Sequence, residues 1–147
     1  METEERTTHD PRDRRAVLGE GGCLCGATRY SLHARPIAVV HCHCADCRRA
    51  TGAAFSTVAV YPRDAVSWLR GAPRRIEHAE RLRLSCPTCG SPLGVLSSEA
   101  AAVLVINAGS HDHPEHLQPT CHVWDADRLP YVKIQDDLPR YSQMADR

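Results

Sequence analysis

Net charge is the first thing this chain of 147 residues lacks: eighteen Lys and Arg stand against eighteen Asp and Glu. A domain that grips nucleic acid or an anionic membrane by bulk electrostatics needs a basic excess, so neither class leads. Lysine is almost missing as well, Lys133 being the sole example, a bias to which no functional weight attaches. No apolar run approaches the length of a membrane span. The start, Met1-Glu2-Thr3-Glu4-Glu5-Arg6, is charged where a secretory signal would be apolar, so the chain is expected in a reducing cytoplasm. Stretches free of proline are short: Pro36, Pro62, Pro73, Pro87, Pro92, Pro114, Pro119, Pro130 and Pro139 leave a long helix almost nowhere to form. Aromatic residues make up only 5%, and Trp68 and Trp124 are expected in the core, where large aromatic area dominates packing.

What remains is a pattern of short strands. Segments rich in β-branched and aromatic residues recur between Gly and Pro punctuation at Ala27–Leu32, Ile37–Val40, Phe55–Tyr61 and Val103–Ile106. One helical turn is expected at Asp46–Thr51, stopped by Gly52. Residues 1–16, charged and without apolar periodicity, read as a flexible leader, and residues 17–147 as one domain. A chain of this size buries roughly 70% of the surface its unfolded form exposes, so metal would supplement a core and not replace it. No internal repeat is present; the two Cys-x-Cys elements are followed by unrelated sequence.

Cysteine is the residue in excess. Seven of eight fall into three clusters, Cys23-Leu24-Cys25-Gly26, Cys42-His43-Cys44-Ala45-Asp46-Cys47 and Cys86-Pro87-Thr88-Cys89-Gly90, at spacings that suit metal ligation and suit disulfides poorly. The Cys-x-x-Cys-Gly element is a zinc knuckle: its turn can aim N–H groups at the sulfurs, and Gly90 can take positive φ as the chain leaves the metal. A knuckle supplies two ligands and needs two more, for which Cys23 and Cys25 are suitable donors. Spacing alone leaves open whether Cys42, Cys44 and Cys47 share a metal with the knuckle or hold their own. Four ligands would close one zinc site, and three would leave another open to water or substrate.

Taken in order, Gly22-Cys23-Leu24-Cys25-Gly26, Cys42-His43-Cys44-Ala45-Asp46-Cys47-Arg48-Arg49 with Thr51-Gly52, Cys86-Pro87-Thr88-Cys89-Gly90-Ser91-Pro92-Leu93, Pro119-Thr120-Cys121-His122-Val123-Trp124 and Leu138-Pro139-Arg140-Tyr141 resemble the glutathione-dependent formaldehyde-activating enzyme family, which includes centromere protein V. The resemblance runs from about residue 20 to 142. It implies a mostly β, compact Mss4-like zinc-binding domain with short helical turns. It also implies two zinc ions: a structural one on Cys23, Cys25, Cys86 and Cys89, and a second on Cys42, Cys44 and Cys47 where glutathione would bind. The activity it implies is that of a carbon–sulfur lyase, joining glutathione or a related thiol to formaldehyde or another small electrophile as S-hydroxymethylglutathione.

Physical chemistry agrees with thiol chemistry at a three-cysteine site. Three thiolates overcompensate a divalent charge, so a bound water is acidified less than on a zinc held by imidazoles, whereas another soft ligand is welcomed.

Other residues divide between a functional and a structural role. His122 is the candidate for polarising the aldehyde or anchoring substrate, and Arg48 and Arg49 for holding glutathione carboxylates. Cys121 stands where the family usually has a small residue: it either closes the second site as a fourth ligand or, as expected of an unpaired cysteine, is a small buried hydrophobe. His111, His113 and His116 read as a polar turn before and around Pro114. The rival to an enzyme is a noncatalytic zinc-stabilised β domain that binds a protein or nucleic-acid partner.

Overall fold

The computed structural model describes residues 13–145. Ten strands and one short helix follow in order: β1 (Gly19–Gly22), β2 (Arg29–Leu32), β3 (Ala38–Cys42), α1 (Ala45–Thr51), β4 (Ser56–Pro62), β5 (Val66–Arg70), β6 (Arg74–His78), β7 (Arg81–Ser85), β8 (Pro92–Ser97), β9 (Val103–Asn107) and β10 (Cys121–Val123). The architecture is mostly β, as the sequence pattern requires. Each anticipated strand segment is a strand with ends displaced by a residue or two, and the one helical turn lies where Gly52 ends it at φ 76°. The leader expected over residues 1–16 lies, for residues 1–12, outside the described residues. Ahead of β1, the Arg15 guanidinium bonds the Asp64 carbonyl, and the His33 ring donates through Nδ1 to the carbonyl of Ala16 at 3.1 Å.

Two sheets form. β1, β2 and β5 make a three-stranded antiparallel sheet, and the other seven strands run in the order β10-β3-β4-β9-β8-β7-β6. Among these strand pairs β10–β3 alone is parallel; it sets Cys121 opposite Val40, His122 opposite His41 and Val123 opposite Cys42. The segment after β10 returns beside it, with His122 N–H bonded to the Pro139 carbonyl and Tyr141 N–H to the His122 carbonyl, both at 2.9 Å. The Leu138–Tyr141 motif is thus an edge that covers β10.

Strand alternation gives the large sheet two unlike faces. One carries Val39, Ala59, Tyr61, Leu84, Leu96, Leu104 and Ile106 and packs on Tyr30 and Leu32 of the small sheet, which forms the main core. Trp68 packs against it, edge-on to Tyr30 at 5.7 Å. The other face carries Val40 and Cys42 of β3, which join Cys121, Val123 and Trp124 in a second cluster beside α1.

Candidate metal centres and a buried histidine network

The first cysteine group is built from two knuckle turns. Cys23 and Cys25 follow β1, and Cys86 and Cys89 lie between β7 and β8. Each turn closes on a glycine at positive φ, 81° at Gly26 and 77° at Gly90, which a side chain would strain. The four sulfurs all lie within 4.8 Å of one another, with Cys23–Cys25 at 3.6 Å and Cys25–Cys86 at 3.8 Å. A tetrahedron with metal–sulfur bonds near 2.3 Å places its sulfurs about 3.8 Å apart, so the group fits a zinc ion. Backbone amides prepare the sulfurs for negative charge: Thr28 N–H points at Cys23, and Thr88 and Cys89 N–H at Cys86, between 3.3 and 3.4 Å. Burial works against ionising Cys86, yet those amides hold its thiol below the ordinary value. Ser91 lowers Cys89 to about 5 through its hydroxyl and its backbone.

Cys42 ends β3, Cys44 caps α1 and Cys47 lies in its first turn. Their sulfurs also fall within 4.8 Å of one another, with Cys42–Cys47 at 3.6 Å. The Cys47 N–H caps the helix on the Cys44 sulfur at 3.3 Å. Hydrogen bonds from Cys42 and Cys47 hold the Cys44 thiol far below its ordinary value, and the same network pushes Cys42 up. Three crowded sulfurs that share protons in this way are a donor set a soft divalent cation would satisfy by displacing the protons. Cys121 is not among the sulfurs brought together; it is 7% exposed and packs with Cys42 and Val123 as a small hydrophobe. Among the described residues no cysteine is in a disulfide.

His122 is fully buried, and strand alternation turns it to the face opposite Cys121, Val123 and the Cys42 sulfur. There it meets two histidines and a carboxylate. Its Nε2 is 2.7 Å from Asp136 Oδ2, and its Nδ1 is 2.9 Å from Nε2 of His43, itself fully buried. An ionised Asp136 only accepts, so His122 donates through Nε2 and accepts at Nδ1, and His43 donates through Nε2. His43 Nδ1 is left as a buried lone pair without a hydrogen-bond partner. Burial, and then the neighbouring His122, lower the His43 imidazole to about 4. The His41 ring lies tilted at 4.8 Å from His122 and bonds Thr57 at 2.7 Å, and Phe55 stacks on His43.

The sequence reading named His122 but not its partners His41, His43 and Asp136. The alternation His41-Cys42-His43-Cys44 was the available signal: period two sends histidines to one face and sulfurs to the other.

The arginines of α1 behave unlike one another. Arg48 bonds the carbonyls of His43 and Asp127, while Arg49 is exposed. His111 is buried, with Nδ1 donating to the Ala108 carbonyl and Nε2 accepting from the Tyr61 hydroxyl, whereas His113 and His116 are exposed on the turn at Pro114–His116. No helix among the described residues is long and apolar enough to cross a membrane.

Comparison with known proteins identifies the family and the fold. The family model described as glutathione-dependent formaldehyde-activating enzyme matches residues 19–127. A crystal structure of a Rhodobacter sphaeroides protein superposes with a TM-score of 0.53 at 17% identity, covering 83% of this chain and 98% of that one, a likeness of fold. Among curated proteins nothing matches.

Proposed function

The chain belongs to the glutathione-dependent formaldehyde-activating enzyme family, and from that premise we propose that it joins glutathione or a related small thiol to formaldehyde at Cys42, Cys44 and Cys47. The observation that carries this is the three-sulfur cluster itself, set beside a four-sulfur cluster that would be complete without it. Two zinc ions per chain suit these donors, the four-sulfur group structural and the three-sulfur group open.

Bound at the second group, zinc would supply a soft positive centre that favours the deprotonated form of a fourth, exogenous sulfur. In the reaction the thiol gives up its proton, and its sulfur forms a bond to the aldehyde carbon. The C=O π pair moves onto oxygen and takes up one proton, so that the hydroxymethyl thioether contains every atom of both reactants. Because thiols and formaldehyde combine unaided, the protein's contribution is chiefly orientation.

The chain's own residues serve that orientation. α1 and β3 fix the three cysteines, and His43, between two of them, is clamped from both sides. Its ring is held by His122 and Phe55, and its carbonyl accepts from Arg48 at 2.8 Å. We assign His122 and Asp136 as positioning residues that hold the Cys42–Cys44 backbone, Arg48 as part of the same clamp, and Arg49 as a solvent-side cation within the helix's last turn. Free thiols at ligand spacing support the reading of a reducing compartment such as the cytoplasm.

The test is the exchange rate between formaldehyde, glutathione and S-hydroxymethylglutathione at equilibrium, followed by NMR with zinc-loaded protein and with Cys44→Ser. Acceleration by the first alone supports the reading. No acceleration by either refutes it and leaves a noncatalytic zinc-stabilised domain.

A further inference from the structure

A peptide thiol brings carboxylates as well as sulfur, and anionic ends seat best on paired guanidinium groups. Arg48 spends N–H groups on two backbone carbonyls. Other cations come from a part of the chain remote from α1 in sequence. β7 reads Arg81-Leu82-Arg83-Leu84; the leucines enter the main core, so both arginines point to the opposite face. Strand register follows that face across the sheet as one rung, Ala38–Val60–Val105–Val95–Arg83–Ile76. Ala38 shares its side of β3 with Val40 and Cys42, so the arginines and the second sulfur cluster stand on the same face.

The twist accumulated from β3 to β7 turns the far strands across this face. Arg81 and Arg83 thus face the same side of the sheet as Cys42. Between them runs a half-buried apolar strip of Val60, Val105 and Val95. Arg81 is exposed, Arg83 half-buried, and among the described residues neither is paired with a carboxylate. The hairpin that carries them is the sheet edge, with β6 exposed along its whole length and a turn through Ala79 and Glu80 at φ 48° and 63°.

We propose that Arg81 and Arg83 form a carboxylate clamp, seating the anionic end of a peptide thiol over the valine strip while its sulfur reaches Cys42, Cys44 and Cys47. The clamp selects thiols that bear carboxylates over neutral ones. It rests on the thiol–aldehyde reading for its substrate class, but it is a statement about binding and is tested as one.

The probe is S-methylglutathione, which carries both carboxylates but no ionisable thiol, titrated calorimetrically into zinc-loaded protein. In the variant Arg81→Gln/Arg83→Gln its affinity falls at least about tenfold, the scale of one charge-assisted hydrogen bond. Arg75→Gln removes a charge from the same hairpin on the opposite face and leaves affinity unchanged. The diethyl ester of S-methylglutathione binds the unaltered protein as weakly as the parent probe binds the double variant, an arm that needs no mutant to fold. Equal affinity of the double variant and the unaltered protein overturns the clamp, as does tight binding of the ester or no binding of the probe at all. Clamp binding without acceleration of thiol–formaldehyde exchange overturns the reaction and leaves the clamp standing.

Discussion

Nδ1 of His122 lies 2.9 Å from Nε2 of His43 inside the fold, where neither ring is exposed to solvent. Removing His122 therefore strands a buried donor and opens a cavity between β3 and β10. His122→Ala should cost about 3 kcal/mol, the sum of an unsatisfied group and lost packing, read as a lower Tm. Because His43 separates two of the sulfurs, zinc affinity at the second site should fall while the first site keeps its metal. His122→Asn, whose amide oxygen can stand in for Nδ1, should restore that affinity in part. Equal loss of zinc at both sites would show a role in stability alone.

The two cysteine groups should separate cleanly. On the proposed ligand division, Cys86→Ser removes a ligand from the staple between the first strand and the β7–β8 turn, so it should release one zinc per chain and lower Tm by roughly 10 °C, as loss of a native cross-link does. Cys44→Ser should also release one zinc yet leave most of the Tm, since its group joins residues that are close in sequence. Metal content by mass spectrometry and melting by circular dichroism read both. Identical melting losses would argue against the division of ligands.

Much of this was legible because it is local. The cysteine spacing, the glycine after each Cys-x-Cys or Cys-x-x-Cys turn, the Gly52 helix stop and the short β-rich segments are all encoded within a few residues, and each appears in the fold. Cys121 shows where local reading gives two answers: its neighbours along the chain admit a ligand, and only β10–β3 pairing shows that it packs with Val123 and Cys42. His43 and His122 are 79 residues apart, and Asp136 lies on a segment without regular structure, so their chain of hydrogen bonds depends on a parallel pairing that composition does not announce. Arg81 and Arg83 alternate visibly with leucines, but which face they share with the sulfurs follows only from register across five strands.

Gly94 of β8 tests that register directly. A Cβ there would run into the Val105 carbonyl oxygen of β9, a backbone atom that cannot swing away. Gly94→Ala should cost about 1–3 kcal/mol, the usual scale of overpacking, and should shift amide signals of Val105 and Ile106 first. A neutral effect on Tm would mean that β8 and β9 are not so closely paired.

Arg29 and Asp112 make a two-pronged ion pair at 2.8 and 2.6 Å that ties β2 to the turn after β9. The Arg29 hydrogen bonds hold the Asp112 carboxyl below its ordinary value of 3.8. With the folded value depressed, the stabilisation is fully present above pH 4 and disappears as pH falls through the folded value, because the unfolded chain takes up the proton first. Partial exposure limits the pair to less than about 1 kcal/mol. Asp112→Asn should therefore lower Tm by a few degrees at pH 7, less in high salt, and the gap from the unaltered protein should narrow as pH drops toward 3. His111 next to it works in the other pH window: burial lowers its imidazole below 6.5, so stability should begin to fall as pH drops beneath that value. In His111→Gln that early acid loss should shrink while the loss below pH 4 persists, and melting curves at pH 7, 5.5 and 4 distinguish the two groups. A gap for Asp112→Asn that stays constant down to pH 3 would show that the carboxylate's charge contributes nothing there.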